Sequence, residues 1–218
     1  MSRSQSAAFE IDQLTDAEIE SGTSILLTGE DTDAIESVFY RLLAAEDNER
    51  SIVLATDDDG RSVTRAFDGI ESGLSDRAEI LTCDGPSHSD AVTAIEDLTD
   101  LTATGMTFST VVANAQQETP RFRAGIFLAS SICGAVDDTR SVYRFLNSNF
   151  LTELRRGDGL GVCAIDTGAD IGSSTSSIVA GLETSFTGRI DIADSGLTGT
   201  TLETSGIDGL PETIETNL

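Results

Sequence analysis

The sequence predicts an α/β fold in three layers, with a mostly parallel sheet covered by helices on both faces and a C-terminal β-hairpin. Five short apolar runs alternate with amphipathic segments along the chain. This alternation is typical of parallel strands joined by crossover helices. The runs are continuously apolar, as strands buried on both faces are. Near the C-terminus, two strand-like stretches flank a glycine-containing turn, which indicates a hairpin.

The strands and helices are expected in alternating order. The five core strands are predicted at 24–28, 51–56, 78–82, 122–128 and 160–166. Helices are predicted at 32–45, 61–67, 89–101, 108–117 and 138–155. The Gly/Ser/Thr stretch at 172–177 leads into a further helix that ends at about 185, and the hairpin is predicted at 188–193 and 200–204. In the first helix, apolar residues recur at helical spacing and form one buried stripe.

The chain divides into three parts on composition. Residues 1–20 are polar and are expected to be loosely ordered, with a short helix near 16–20. Residues 21–205 form one domain, which is a length sufficient for a real core. Residues 206–218 form an acidic tail that is expected to cross the surface.

The charge balance excludes some classes of partner. The chain has 38 Asp and Glu against 13 arginines and no lysine, a net charge of −25. Such a surface repels nucleic acid and anionic membrane. A disordered acidic chain and a globular protein of a high-salt cytoplasm both fit this composition, and the apolar runs at 25–27 and 52–54 favour the globular protein. The absence of lysine fits a halophilic archaeon.

The sequence also predicts a cytoplasmic location. The first 14 residues are polar, and no apolar stretch approaches the roughly 20 residues of a membrane span. Cys83, Cys133 and Cys163 are widely spaced and form no CxxC pair, so we expect three reduced thiols without a metal or redox role.

The turn after the first strand lies where a phosphate-binding loop would lie. That loop has the pattern GxxxxGK[ST]. Here Gly29 is followed by Glu30, Asp31, Thr32 and Asp33. A cation site, or an unusual form of nucleotide binding, would give these residues a function. We favour a strand-to-helix turn whose anion site is filled by the protein's own carboxylates.

The other strand ends offer weaker candidates. Asp57–Asp59 could hold magnesium as in receiver domains, but those domains need a lysine. Phe127 stands where a magnesium-site Asp would stand, and it cannot bind a metal. After the fourth strand, Ser130 and Ser131 are expected to cap or pack. The end of the fifth strand offers Asp166, Thr167 and Asp170, which are weak evidence for a site.

Histidine and arginine residues give no catalytic constellation. His88 is the sole histidine, and no GxSxG elbow accompanies it, so a surface position is expected. Arg140, Arg144, Arg155 and Arg156 form a basic patch that is too small for nucleic acid. The pair Arg121 and Arg123 is expected to mark a strand start, with contact to an acidic partner as the alternative.

Four stretches resemble the KaiC-like branch of RecA-type ATPases, in its degenerate, uncharacterised haloarchaeal versions. They are SILLTG at 24–29, SIVLATDDDGRSVTRAF at 51–67, RAGIFLASSICGAVDDTRSVYRFLN at 123–147, and GDGLGVCAIDTGA at 157–169 with LETSFTGRIDI at 182–192. Their order and spacing over about residues 22–205 carry the resemblance.

The resemblance implies a phosphate loop and a magnesium-site Asp, and the sequence departs from both. Glu30–Asp33 stand where the loop's lysine and hydroxyl belong, and Phe127 replaces the Asp. Lysine and magnesium neutralise most of the charge in phosphoryl transfer. We therefore expect a non-catalytic pseudo-ATPase without a cofactor that acts as a regulatory or protein-interaction module.

The alternative is an ATP- and magnesium-dependent protein completed by a partner or a neighbouring subunit. Arg155 and Arg156 would then act in trans. We expect a protein partner in the first case. Because many relatives of this type form rings, the resemblance also allows a homo-oligomer.

Overall fold

A nine-stranded sheet forms the centre of the computed structural model, which describes residues 8–84, 91–136, 138–171, 175–196 and 199–218. Its strand order is β11-β10-β9-β3-β8-β7-β4-β5-β6. The strands are β3 (Ser24–Gly29), β4 (Glu49–Asp59), β5 (Ala78–Asp84), β6 (Val92–Ala94), β7 (Arg121–Phe127), β8 (Leu160–Asp166), β9 (Gly188–Gly196), β10 (Gly199–Ser205) and β11 (Thr213–Thr216). A separate two-stranded sheet pairs β1 (Ala8–Glu10) with β2 (Glu18–Glu20).

The sheet is parallel from β9 to β6, and β10 and β11 add two antiparallel strands at one edge. This confirms the predicted α/β class and the hairpin of β9 and β10. The helices are α1 (Thr32–Leu42), α2 (Gly60–Ile70), α3 (Leu101–Glu118), α4 (Ala129–Ala135), α5 (Thr139–Phe145), α6 (Leu151–Gly157) and α7 (Thr175–Glu183).

Side chains of the central strands alternate between two apolar layers. Ile25 and Leu27 of β3 pack with α1 and α2, and Leu26 packs on the opposite side with α3 to α7. Both layers are fully buried at the sheet, with Leu26 and Leu27 at 0% exposure. This explains why the strands lack a polar alternation in the sequence.

Local structure differs from expectation between the third strand and α3. The predicted helix at 89–101 is wrong, because Val92–Ala94 forms the parallel edge strand β6. The amide of Ile80 donates to Ala91 O at 2.8 Å, and the amide of Ile95 donates to Thr82 O at 2.8 Å. This pairing with β5 outweighs helical periodicity over so short a segment. Residues 85–90, which include His88, lie outside the described residues.

The predicted long helix at 138–155 is divided in three. α5 ends at Phe145, a π-helical turn covers Leu146–Phe150, and α6 follows. The wide turn still buries Leu146 and Phe150, so the buried side of α5 continues into α6. Ahead of it, α4 forms where only capping or packing by Ser130 and Ser131 was expected.

Residues 8–20 and 206–218 join the fold more closely than expected. Residues 18–20 form β2 and not a helix, and Phe9 and Ile19 face each other with no exposed surface. At the other end, β11 pairs with β10 and buries Ile214 in the tail that was expected to cross the surface. Pairing with the adjacent strand of the chain supplies the backbone hydrogen bonds that each of these short segments could not satisfy alone.

Candidate functional site

The candidate site lies at the carboxyl edge of the parallel strands, where open α/β sheets bind ligands. The pairing of β3 with β8 sets Gly29 beside Asp166. The ends of β7 and β4 lie next along the same edge, since Ala55 pairs with Phe127. The sheet therefore brings the acidic turn, the Phe127 position and Asp166 to one side of the molecule.

The turn between β3 and α1 is only two residues long. Glu30 and Asp31 connect the end of β3 at Gly29 to the start of α1 at Thr32. In the phosphate-loop pattern, four residues separate the first glycine from the Gly-Lys pair, and their amides surround the phosphates. Here the positions of Thr32 and Asp33 are already helical.

Asp31 occupies the amide donors at the start of α1. Its Oδ1 accepts hydrogen bonds from the amides of Asp33 at 3.1 Å and Ala34 at 3.3 Å. Its Oδ2 accepts one from Ser195 Oγ at 2.6 Å. The Ser195 hydroxyl and then the Ala34 amide hold the pKa of Asp31 below its usual value, so the carboxylate is charged. A negative side chain thus fills the anion position of the helix N-terminus.

Gly29 is closely packed by its neighbours. A Cβ atom at Gly29 would lie 3.1 Å from Cγ1 of Ile35 and 3.2 Å from Cβ of Ile192. The carbonyl of Gly29 accepts bonds from the amide of Thr167 at 2.7 Å and from its Oγ1 at 2.8 Å. The glycine therefore permits close packing of β3, α1 and β9.

An open groove of about 560 Å³ runs between this turn and β9. Glu30, Asp31, Asp191 and Asp194 line it beside a single cation, Arg189. Nε of Arg189 donates to Thr28 Oγ1 at 3.1 Å, and Nη2 donates to Asp191 Oδ1. The guanidinium is thus already paired, and the groove keeps an excess of negative charge. No sequence pattern had indicated Arg189.

Asp166 and the residues after it form a small hydrogen-bonded corner. Asp166 Oδ2 accepts from Thr32 Oγ1 at 3.3 Å, and Oδ1 accepts from the amide of Gly168 at 2.8 Å. The amide of Asp166 donates to the buried Ser130 Oγ at 3.3 Å. Asp170 is exposed four residues further on. Asp166 therefore links the end of β8 to the start of α1.

Phe127 packs into the core at the position where the sequence suggested a lost magnesium ligand. Its side chain is 2% exposed, and its ring centroid lies 5.2 Å from that of Phe39 and 5.8 Å from that of Tyr40. Thr56 Oγ1 donates to the carbonyl of Phe127 at 2.7 Å. A carboxylate at this position would face aromatic rings and would lose its hydration.

The Asp57–Asp59 segment extends β4, and its three carboxylates have different surroundings. Asp57 accepts a hydrogen bond from Ser131 Oγ. Asp59 caps α2 by accepting the amide of Ser62 at 2.8 Å, and that bond lowers its pKa. Burial, then Asp57 and Asp59, raises the pKa of Asp58. Within the described ranges, no group of three or more His, Cys, Asp or Glu side chains is arranged to hold a metal ion.

Arg155 and Arg156 of the predicted basic patch lie away from this edge. Arg155 and Arg156 end α6 just before β8 begins, which places them at the opposite, amino end of the strands. Arg156 Nη1 lies 4.0 Å from Glu153, and its side chain is 74% exposed. Arg121 and Arg123 do mark the start of β7, but both bind Glu49 inside the protein.

Two of the three cysteines lie in surroundings that disfavour the thiolate. Cys133 and Cys163 are buried, and burial raises the pKa of Cys133 to about 11. A thiol with such a pKa is a poor nucleophile and metal ligand at neutral pH. In the described part of the chain, no helix is long and apolar enough to cross a membrane.

The sequence matches the model of DUF7504, a family of unknown function, over residues 22–192. The chain belongs to the DUF7504 family. The matched region of this DUF7504 chain includes the short β3–α1 turn, Phe127 and Asp166. No curated protein matches the sequence.

Solved structures from Pyrococcus horikoshii share the fold of this DUF7504 chain. KaiC-like protein PH0186 of strain OT3 aligns with a TM-score of 0.57 at 17% identity, over 100% of this chain and 92% of the other. The uncharacterised protein PH0321, solved with an unknown peptide, aligns with a TM-score of 0.64 at 13% identity, over 92% and 94%. PH0250 of strain OT3 aligns with a TM-score of 0.59 at 12% identity, over 84% and 86%. These likenesses show a KaiC-like, RecA-type fold.

Proposed function

We propose that this protein is a non-catalytic pseudo-ATPase, whose KaiC-like domain acts as a regulatory or protein-interaction module in the cytoplasm of a halophilic archaeon. The observation that carries the proposal is the two-residue β3–α1 turn, in which Asp31 accepts the amides that would otherwise face a phosphate. Polyphosphate would have to displace a charged carboxylate and enter a groove with four acids and one paired arginine.

The Phe127 position supports the same proposal independently. A substitution that restores an Asp there would bury a carboxylate against Phe39 and Tyr40. Loss of both lysine and magnesium removes the groups that neutralise charge in phosphoryl transfer. The fold then remains as a scaffold for contacts with other proteins, and the Pyrococcus neighbour PH0321 was solved in complex with a peptide.

Calorimetry with ATP and magnesium in molar potassium chloride tests the loss of nucleotide binding. We expect no binding tighter than about 1 mM, an affinity that corresponds to roughly −4 kcal/mol. A Kd in the micromolar range would refute the pseudo-ATPase assignment. Affinity capture of the tagged chain at the same salt, followed by identification of co-purifying proteins, tests the interaction role. In the control, an excess of the untagged chain is added, and it should compete for any specifically bound protein.

A second candidate is an ATP-dependent protein completed by another subunit or partner. The observation in its favour is the exposure of Arg156. Its side chain is 74% exposed, and its Nη1 lies 4.0 Å from Glu153 Oε1, which is a long ion pair, so the guanidinium can reach a neighbouring molecule. Since the arginines of α6 lie at the amino end of the strands, they could serve only a site in another molecule. ATP turnover by the assembled complex, lost on Arg155→Ala and Arg156→Ala, would support this candidate, and its absence would exclude it.

A further inference from the structure

A second cavity lies between α1 and α2 and has a volume of about 380 Å³. It shares no lining residue with the groove beside β9. Asp33, Glu36, Tyr40 and Arg41 line it from α1, and Ala66 and Ile70 line it from α2. Cavities that bind small molecules have volumes of about 300–1,000 Å³. This space, called the α1–α2 cavity below, is therefore large enough for a small ligand.

Tyr40 brings an unpaired hydroxyl to the α1–α2 cavity. The residue is 1% exposed, and the rings of Phe67 and Phe127 pack against its own at centroid distances of 5.1 and 5.8 Å. Its Oη has no hydrogen-bond partner among the described residues. Burial, then the charges of Asp58 and Glu36, raises the pKa of Tyr40, so the hydroxyl stays protonated and lies on the side of these carboxylates. Such a buried hydroxyl destabilises the fold unless a ligand group pairs with it.

Arg41 lines the same cavity without an acidic partner. Its Nε donates to Ser37 Oγ at 3.3 Å, and its Nη1 donates to Gln13 O at 2.9 Å. The ion pairs within 4.0 Å in the described ranges do not include Arg41. Its Nη2 donates to no described residue. The guanidinium therefore keeps its charge and a pair of N–H donors for an anion.

The acids of the α1–α2 cavity also lack a cation. In the part of the chain that the structure describes, Asp33 and Glu36 take part in no ion pair. Burial, then Asp58 and Asp33, raises the pKa of Glu36, which is the effect of negative neighbours that no cation offsets. One cation and two acids thus line one space without contact between them.

We propose that the α1–α2 cavity binds a small zwitterion, whose ammonium group pairs with Glu36 and Asp33 and whose carboxylate pairs with Arg41. The Tyr40 hydroxyl accepts a further hydrogen bond from the ammonium group. A simple cation would leave Arg41 without an anion, and a simple anion would face the two acids. A zwitterion has no net charge, so the net charge of −25 on the chain neither attracts nor repels it.

The cavity also limits the length of the ligand. Asp33 and Arg41 are eight residues apart on α1, which is about 12 Å along the helix axis. The Arg41 side chain turns back to Ser37, which shortens the span between the charges. An ω-amino acid of two to six carbons fits within that span, with its methylene groups against Ala66 and Ile70. The proposal does not rest on the loss of nucleotide binding, since the cavity is separate from the β3–α1 turn and its groove.

Calorimetry of the full chain in 1 M potassium chloride tests the proposal, with the ω-amino acids from glycine to 6-aminohexanoate as probes. We expect at least one of them to bind with a Kd below about 1 mM. The alkylamine and the alkyl carboxylate of the same length should each bind at least about tenfold more weakly, because each leaves one charged side of the cavity unpaired. If no amino acid of the series binds, the proposal is wrong. Equal binding of the alkylamine overturns the zwitterion as the ligand.

Tyr40→Phe separates a binding role of the hydroxyl from a structural one. The change removes only the hydroxyl, so the thermal midpoint without ligand should stay the same or rise, because a buried unpaired group is lost. The same change should weaken the binding of the best amino acid at least about tenfold. Unchanged affinity in Tyr40→Phe overturns the contact assigned to the hydroxyl.

Glu36→Gln and Arg41→Gln test the two charged sides of the cavity. Each should weaken the best amino acid about tenfold or more, because a charge-assisted hydrogen bond is lost. Glu212→Gln is the control: it removes an exposed carboxylate just before β11 that does not line the cavity, and it should leave the Kd unchanged. Equal losses in all three variants would reveal a general effect of charge and would overturn the site. Circular dichroism of each variant confirms that it is folded.

Discussion

Arg123 and Glu49 form an ion pair inside the protein, with Nε of the arginine 2.6 Å from Oε2 of the glutamate. Their side chains are 1% and 3% exposed. The other donors of Arg123 bond to the carbonyls of Leu42 at 3.1 Å and Glu10 at 2.7 Å. Arg121 binds the same carboxylate through Oε1 and donates to Ala8 O at 2.6 Å. Two arginines thus attach β1 to the start of β7.

Removing one member of this pair should be costly. Arg123→Ala leaves the buried Glu49 carboxylate with Arg121 alone to balance its charge, and the loss of a partner from a buried ion pair costs about 3–5 kcal/mol. Denaturant unfolding at fixed salt measures the change. Arg50→Ala, which breaks the more exposed pair with Glu118, is the control and should cost less than about 1 kcal/mol. Equal losses in the two variants would contradict the importance of burial.

The attachment of β1 also has a local readout. Residues 8–20 should become sensitive to limited proteolysis in Arg123→Ala while the sheet remains protected, because two of the arginine's bonds go to Glu49 and Glu10. Cleavage confined to loops between later elements would speak against this role.

Asp58 and Glu36 should contribute to the free energy of unfolding at low pH, and this contribution should be lost as the pH rises. Burial, followed by Asp57 and Asp59, raises the pKa of Asp58, and burial, followed by Asp58 and Asp33, raises the pKa of Glu36. Between the ordinary and the raised pKa the folded chain binds more protons than the unfolded chain, so this component falls as pH rises through that window.

Asp58→Asn should therefore raise the thermal midpoint at pH 7.5 and lose that advantage near pH 4. Asp31→Asn should lower the thermal midpoint at pH 7.5, since Ser195 and the Ala34 amide lower the pKa of Asp31 and so stabilise its charged form in the folded chain. Melting curves of the two variants and the parent chain at both pH values make the comparison. A higher thermal midpoint in both Asn variants at pH 7.5 would contradict the surroundings assigned to Asp58 and Asp31.

Gly125 permits α1 to lie close to β7. An added Cβ would lie 2.3 Å from Cδ1 of Leu43 and 2.5 Å from Cζ of Phe39. Gly125→Ala should cost about 1–3 kcal/mol, because a packed core resists added volume. Gly69→Ala in α2 is the matched control, since nothing lies within 4 Å of its Cβ position, and it should stabilise by about 0.5–1 kcal/mol. Chemical denaturation compares them, and equal effects would refute the packing argument.

Salt should stabilise the folded chain strongly. With a net charge of −25, unscreened repulsion opposes the compact state, and the Debye length falls from about 10 Å at 0.1 M to about 3 Å at 1 M. The thermal midpoint should rise steeply between 0.1 M and 3 M potassium chloride. A flat response would contradict the proposed high-salt origin.

The sequence predicted the core strands and the β3–α1 corner well, because each depends on local patterns. The strand at 24–28 and the helix start at Thr32 were read from an apolar run and a capping turn, and both are present. β1, β6 and β11 were missed because each has only three or four residues. Over so short a segment, apolar periodicity carries no signal.

The surroundings of the site residues were harder to predict than their positions. Glu30 and Asp31 lie in the expected turn, but the Ser195 bond to Asp31 spans 164 residues. Arg189 reaches Thr28 across 161 residues, and no motif announces such a contact. The aromatic packing of Phe127 likewise depends on α1, which lies more than 80 residues earlier in the chain.

The attachment of β1 by Arg121 and Arg123 sets an order of events during synthesis. Ala8 and Glu10 meet their arginines across 113 residues. A ribosome adding about 5–20 residues per second needs roughly 6–23 s to deliver those arginines. Until then Phe9 has no guanidinium to cover it. β1 therefore cannot complete its native contacts before the start of β7 has been synthesised.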